Sequence, residues 1–224
     1  CVALVCLCLF WGQSLRAADA SHSEQIKWGN ESVFNEEHNT LGLFSGVLGG
    51  QIVLAGGTSD DYSRWGRNAV CLSENAGFAL YEDVLSKPLA YGASITLSDG
   101  ILCIGGRDSS QCYEDVFFVT MQQGKLNVSE DWPPLPFPLS NAAGALLDNK
   151  VYLFGGRKSV SPSRLSDSFF VLDLSNKSRG WKELPGYPGC VREDAILVVQ
   201  NNGVSPCLYL LGGQTETEEG LSSC

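Results

Sequence analysis

Histidine is nearly absent from this chain: there are two in 224 residues, His22 and His38, both ahead of its repeating part. No Cys-x-x-C pair compensates for them, although the chain holds nine cysteines. Metals held by imidazole or paired thiolates therefore lack a ligand set, and no metal site is expected. Positive charge is also scarce, with 15 Lys and Arg against 25 Asp and Glu, a formal charge of -10 and a pI near 4.6. Nucleic-acid binding depends on cations that neutralise phosphates, so that class of partner is excluded. A small anion would meet the same long-range repulsion and would need a local group of arginines. No apolar run reaches the roughly 18 residues of a membrane-spanning helix. What is present is ordinary for a packed globular protein, with 44% hydrophobic residues.

The apolar run Val2–Trp11 is followed by a polar stretch that ends in small residues at Ala17, Ala18 and Ala20. This is the pattern of a secretory signal and its cleavage site, with the positively charged start missing. Residues 1–20 are read as a signal peptide truncated at its start, 21–40 as a lead-in, and 41–224 as the folded part; the expected location is secreted or periplasmic. Cys1, Cys6 and Cys8 would leave with the signal, and the even set Cys71, Cys103, Cys112, Cys190, Cys207 and Cys224 allows disulfides in an oxidising compartment. Cys103 and Cys207 lie inside apolar strands and read as plain buried thiols. The triplets at Asn30, Asn127 and Asn176 are glycosylation acceptors only in a eukaryotic secretory pathway.

Four cassettes of an apolar strand ending in Gly-Gly recur at Gln51–Gly57, Ile101–Gly106, Val151–Gly156 and Cys207–Gly213. A period of roughly 50 residues built on such a unit is the signature of a β-propeller blade of the kelch type. Small residues precede each cassette, in Gly42–Val47, Tyr91–Thr96 and Asn141–Leu146, with a bulkier fourth run at Asp194–Val199. Innermost strands crowd the propeller axis, which is where small side chains belong. Polar links such as Gly49-Gly50 and Asp148-Asn149-Lys150 predict hairpin turns. Third strands are predicted at Ala69–Leu72, Asp115–Met121 and Ser168–Leu174, and outer ones at Phe78–Tyr81, Lys125–Val128 and Trp181–Leu184. Trp132 and Trp181 follow their diglycines by 26 and 25 residues, suiting a tryptophan wedged between blades. The fold class is therefore all-β, a kelch-type propeller with about four blades present, and Gln214–Cys224 is read as adding no outer strands. Since only ring closure removes sheet edges, the chain reads as a fragment of a six-bladed ring.

The phrases Leu89–Gly106 (LAYGASITLSDGILCIGG) and Pro133–Gly156 (PPLPFPLSNAAGALLDNKVYLFGG), with Gly42–Gly57, resemble the secreted kelch mutarotases that act on N-acetylneuraminate, including the cyclically permuted branch. That resemblance runs from about Leu41 to Gly213. It implies a six-bladed propeller that interconverts the anomers of free sialic acid without a cofactor, by acid and base assistance to ring opening. The sugar carboxylate then calls for arginine, whose planar fork bonds both oxygens. Arg107 and Arg157 directly follow Gly-Gly, and Arg192 precedes the fourth inner strand, so these three are the candidate substrate-binding cations. Each could instead tie blades together through a nearby acid such as Asp108 or Glu193. Asn141 and Tyr91 open inner strands and are the further substrate-binding candidates. Glu193 and Asp61 are the candidate catalytic acids, with Asp194 beside the first. The loop Thr58–Asn68 holds no glutamate where the resemblance would place a catalytic one. The competing reading is a non-catalytic secreted kelch module that binds a glycan or an acidic peptide through its loop arginines.

Overall fold

The computed structural model describes residues 41–73, 77–217 and 220–224. The expected signal peptide and lead-in, and with them His22, His38 and the Asn30 triplet, lie outside the described residues. Blade 1 is the four-stranded antiparallel sheet β1 (Phe44–Leu48), β2 (Gln51–Ala55), β3 (Ala69–Ser73) and β4 (Gly77–Tyr81). Blade 2 repeats it with β5 (Ala93–Thr96), β6 (Ile101–Ile104), β7 (Val116–Gln122) and β8 (Lys125–Ser129). Blade 3 begins with β9 (Ala143–Leu147) and β10 (Lys150–Phe154), and a short hairpin of β11 (Arg157–Ser159) and β12 (Arg164–Leu165) interrupts it. It resumes with β13 (Phe169–Asp173), a 3-10 segment Leu174–Arg179 and β14 (Lys182–Leu184). The inner hairpin of blade 4 is β15 (Ile196–Asn201) and β16 (Pro206–Leu211). A last hairpin, β17 (Gln214–Thr217) with β18 (Gly220–Ser223), pairs with itself and not with β16. It starts at the residue after Gly-Gly, as β11 does in blade 3. The segment after Gly213 thus forms a rim hairpin and adds no outer strand to the sheet.

Turn chemistry explains the hairpins. The β1–β2 link has Gly49 and Gly50 at φ 56 and 80, and the β9–β10 link has Asp148 and Asn149 at φ 49 and 58. Two successive positive φ values match the right-handed twist of the strands they join, and Gly, Asn and Asp reach them at least cost.

The core lies between the blades. Phe44, Val53, Ala55 and Cys71 of blade 1 pack on Ile101, Cys103, Phe117 and Val119 of blade 2. The opposite face of blade 2, with Leu102, Ile104 and Phe118, packs on Val151, Leu153, Phe170 and Leu172 of blade 3. Ala143, Ala145 and Phe154 of blade 3 meet Leu197 of blade 4. Side chains alternate between two faces along a strand, so each central blade is apolar on both and its strands read as near-continuous hydrophobic runs. Full burial of each Leu or Phe contributes about 1.5–3 kcal/mol. Trp132 stacks on Phe118 with centroids 5.2 Å apart, and the Trp181 indole N–H of blade 3 donates to the Pro133 carbonyl at 3.0 Å. Lys177 of blade 3 lies over the Trp132 ring at 4.0 Å, so both tryptophans work across the junction of blades 2 and 3. Inner strands also touch through small groups: the amides of Ser45 and Val47 donate to the hydroxyls of Ser94 and Thr96 at 3.0 and 3.2 Å. A Cβ on Gly46 would come 2.6 Å from the Ile101 side chain, which would have to shift to admit a larger residue.

Of the cysteines, Cys190 and Cys224 form a disulfide, and Cys71, Cys103 and Cys112 are buried thiols, whereas Cys207, expected to be buried, is a half-buried free thiol. Burial raises the pKa of Cys71, Cys103 and Cys112, so they stay protonated and inert.

The diglycines form the joints between blades. The first glycine donates to the residue just before its own third strand (Gly105 to Asp115 O, Gly155 to Ser168 O), and the second donates to the lead-in of the next blade (Gly106 to Leu139 O, Gly156 to Arg192 O). At Gly105, φ is 62 and an added Cβ would lie 2.2 Å from the Leu139 carbonyl oxygen, which is backbone and cannot yield. Gly105→Ala is expected to cost about 3 kcal/mol or more in urea unfolding, combining left-handed strain with the clash. Gly124→Ala, at φ 74 but facing open space, should show only the strain, about 1–2 kcal/mol.

Candidate functional site

The same joint repeats an arrangement of side chains around one rim. The residue after each Gly-Gly (Thr58, Arg107, Arg157, Gln214) pairs antiparallel with the residue that leads into an inner strand (Leu41, Ala90, Ser140, Glu193). One position further on come Gly42, Tyr91, Asn141 and Asp194, all left-handed with φ between 55 and 64. These four are joined by backbone hydrogen bonds: Tyr91 N–H to Gly42 O at 2.7 Å, Asn141 N–H to Tyr91 O at 2.7 Å, and Asp194 N–H to Asn141 O at 3.0 Å. Tyr91, Asn141 and Asp194 therefore come from three blades yet stand side by side, with Arg107 and Arg157 behind them.

Arg107 lies against two rings, 4.8 Å from the centroid of Tyr91 and 5.2 Å from that of Trp65. Tyr62 completes the group. Its ring is nearly parallel to Tyr91 at 6.5 Å and also contacts Trp65 at 6.4 Å. The Tyr91 hydroxyl donates to that of Tyr62 at 3.3 Å. Burial, then the bond to Tyr62, pushes the Tyr91 phenol up, so it remains neutral. Among the described residues no carboxylate pairs with Arg107. Asp108, the expected partner, binds its own loop: burial acts to raise its pKa, but hydrogen bonds from Tyr113, Ser110 and Gln111 outweigh it and hold the carboxyl at about 2. A guanidinium held by stacking and free of counter-ions keeps its forked donors available to a ligand.

The other two arginines are committed. Arg157 forms a two-pronged ion pair with Glu193, its Nε donating to Oε2 at 2.8 Å and its Nη2 to Oε1, and Glu216 stands 3.5 Å away. The Glu193 side chain is 4% exposed. This is the blade-tying role set out as an alternative for the arginines, and it removes Glu193 as an available acid. Arg192 is buried rather than at an open entrance. It donates to the Gly212 carbonyl at 2.9 Å and to the Cys190 carbonyl at 3.4 Å, and lies over the Tyr187 ring at 5.1 Å. Guanidinium groups satisfied by backbone carbonyls hold the chain together and leave little for a ligand. The three arginines do not converge; among the described residues Arg107 alone of them is held by rings without an ion pair.

Asp61 is likewise occupied. The Ser59 hydroxyl donates to it at 2.6 Å, and the Ser63 amide and hydroxyl donate at 3.0 and 2.7 Å. Led by the Ser59 bond, these hold the carboxyl at about 2, too acidic for a group that must exchange protons near neutrality. Asp61 shapes the loop that carries Tyr62 and Trp65. Asn141 is drawn into the rim, its Nδ2 donating to Asp194 Oδ1 at 2.8 Å, while its own Oδ1 is buried without a partner among the described residues. No group of three or more metal-ligating side chains occurs among the described residues.

Two aromatic members of this rim, Tyr62 and Trp65, were not among the residues expected from sequence. Their only signal was an aromatic pair in the first post-diglycine loop, and nothing in their spacing links them to Arg107, 42 residues beyond Trp65.

The repeats and the joint define a kelch-type β-propeller, with the kelch motif itself matched over residues 138–185. The N-acetylneuraminate epimerase resemblance read from the inner-strand phrases is borne out. The chain is 31% identical over 106 residues to the N-acetylneuraminate epimerase of Vibrio cholerae serotype O1, covering 47% of this chain and 25% of that protein. It is 32% identical over 89 residues to the enzyme of the same name from Yersinia pestis strain Pestoides F, covering 40% and 20%, and 30% over 92 residues to that of Haemophilus influenzae strain PittEE, covering 41% and 22%. Each matched stretch thus spans a quarter or less of the relative. Among solved structures, that of YjhT superposes with a TM-score of 0.61 at 12% identity, covering 82% of this chain and 68% of the other, which shows a shared fold.

Glu193→Ala would leave the partly buried Arg157 with only the more distant Glu216. A loss of about 3–5 kcal/mol in urea unfolding is expected, because it is the unpaired buried charge that costs most. The Arg157→Ala, Glu193→Ala double variant should recover part of that loss in a mutant cycle.

Proposed function

We propose that this chain carries the rim of a sialic acid mutarotase, interconverting the α and β anomers of N-acetylneuraminate without a cofactor. The observation that carries this reading is Arg107, a cation that forms no ion pair among the described residues, stacked on Tyr91 and Trp65, with Asn141 and Asp194 on the same rim. At its anomeric carbon the sugar bears a hydroxyl, the ring oxygen and a carboxylate. A planar guanidinium pairs with the carboxylate through two parallel bonds and fixes the reacting carbon next to the rim. Aromatic rings supply flat surfaces for the apolar face of a pyranose. The similarity to proteins named N-acetylneuraminate epimerase supports the choice of sugar. We also place the chain in a secreted or periplasmic compartment, a reading supported by the pattern of residues 1–20 and by the Cys190–Cys224 pairing.

A second reading, a non-catalytic glycan- or acidic-peptide-binding module, is favoured by the occupied state of Asp61 and Glu193. The two are separated by mixing the full chain with freshly released α-N-acetylneuraminate and following the anomeric signals by proton NMR. Acceleration over buffer supports the enzyme; binding without acceleration supports the module. In either case Arg107→Ala should weaken sugar binding by about 10- to 100-fold, the loss of a charge-assisted pair. Unchanged affinity would exclude Arg107 as the carboxylate anchor.

A further inference from the structure

We infer that Asp194, presented by blade 4 and held by Asn141 of blade 3, is the proton-transferring carboxylate of this rim. The inference rests on the mutarotase reading above and assigns its chemistry to one residue. Both carboxylates first in line for the role are engaged elsewhere, Asp61 in its own loop and Glu193 with Arg157. Asp194 is not. One of its oxygens accepts from Asn141 at 2.8 Å, and the residue remains exposed. Its backbone amide is bonded to the Asn141 carbonyl and its φ is 55, so the carboxylate is carried by a fixed joint rather than a free loop. Tyr91, the next member of that backbone chain, is the residue on which Arg107 stacks, so the carboxylate stands near the cation that would hold the sugar.

The electrostatics suit the task. Desolvation between the blades raises the Asp194 pKa; the Asn141 bond lowers it, the Glu193 charge raises it, and Arg157 and Arg107 lower it, with a net upward shift. Tyr91, which faces the same space, is neutral, and Asp108 is turned into its own loop. A carboxylate moved toward neutrality is a better proton carrier at working pH than one held near 2.

The step balances within the sugar and one side chain. The carboxylate takes the proton of the anomeric hydroxyl, and that oxygen's electron pair becomes the second bond of a keto group. The bond from the anomeric carbon to the ring oxygen breaks, and the ring oxygen takes the proton back from Asp194. After rotation about the adjoining bond, the reverse sequence closes the ring on the other face, with no net change in protons or electrons.

The test uses the full chain and proton NMR of anomer interconversion across the neutral pH range, together with sugar binding. Asp194→Asn keeps the side-chain shape and tolerates the left-handed backbone. It should slow interconversion by about 100-fold or more, the usual contribution of such a group, with sugar affinity unchanged. Asn141→Gly removes the donor that stabilises the carboxylate, and glycine already occupies the equivalent place at Gly42. The Asp194 pKa then rises, so the acid limb of the rate profile should move to higher pH. If wild type is active and Asp194→Asn equally so, or if the Asn141→Gly limb stays in place, Asp194 is not the group and the mutarotase reading survives. If wild type binds the sugar without accelerating it, both fall together.

Discussion

The bond from the second glycine of each pair to the neighbouring blade governs everything else in this molecule. The amide of the second glycine reaches a carbonyl one blade away, and the backbones come so close that a side chain on the first glycine would overlap that same carbonyl oxygen, as at Gly56, Gly105 and Gly155. Glycine at positive φ is the residue that permits this approach. Gly212, with no neighbouring blade among the described residues, faces open space instead. Because the joint is rigid and repeated, whatever follows it is delivered to the same rim at the same height. That is how Arg107 and Arg157, 50 residues apart in the chain, come to occupy equivalent places in adjacent blades.

Equivalent places do not impose equivalent roles. Arg157 has a carboxylate at the lead-in of the next blade, Glu193, and closes on it; at the lead-in facing Arg107 stands Ser140, and the cation turns to the aromatic rings. One of these arginines is a brace and the other forms no ion pair among the described residues, although both begin from the same Gly-Gly-Arg triplet. The brace also has a consequence for the rim, since it engages the buried Glu193 and leaves the neighbouring Asp194 as the exposed carboxylate of the two.

The hydrophobic layers between blades hold this rim in place. Central blades are apolar on both faces, and each layer of Leu, Ile, Val and Phe prevents a blade from tilting and dragging its loop residues out of register. Tyr91, Asn141 and Asp194 sit at the tops of inner strands whose small residues let the blades converge, so the packing below and the polar group above are parts of one geometric solution.

The four cassettes, their spacing and the small residues before them determined the blades by themselves, because a strand ending in two glycines has few other uses and the pattern is local. Strand positions, the hairpin turns and both inter-blade tryptophans follow from the same short-range rules. The site was only half legible. Arg107, Arg157, Asn141 and Tyr91 could be placed on the rim from their offset to the glycines, but which arginine was free depended on what stood one blade away. Arg192 looked like a rim residue and is buried against the Gly212 carbonyl; Tyr62 and Trp65 looked like loop residues and became the bed of Arg107. Those outcomes turn on distances between segments about 20 to 45 residues apart, and such distances are set by how the blades pack, a long-range property that no local pattern contains.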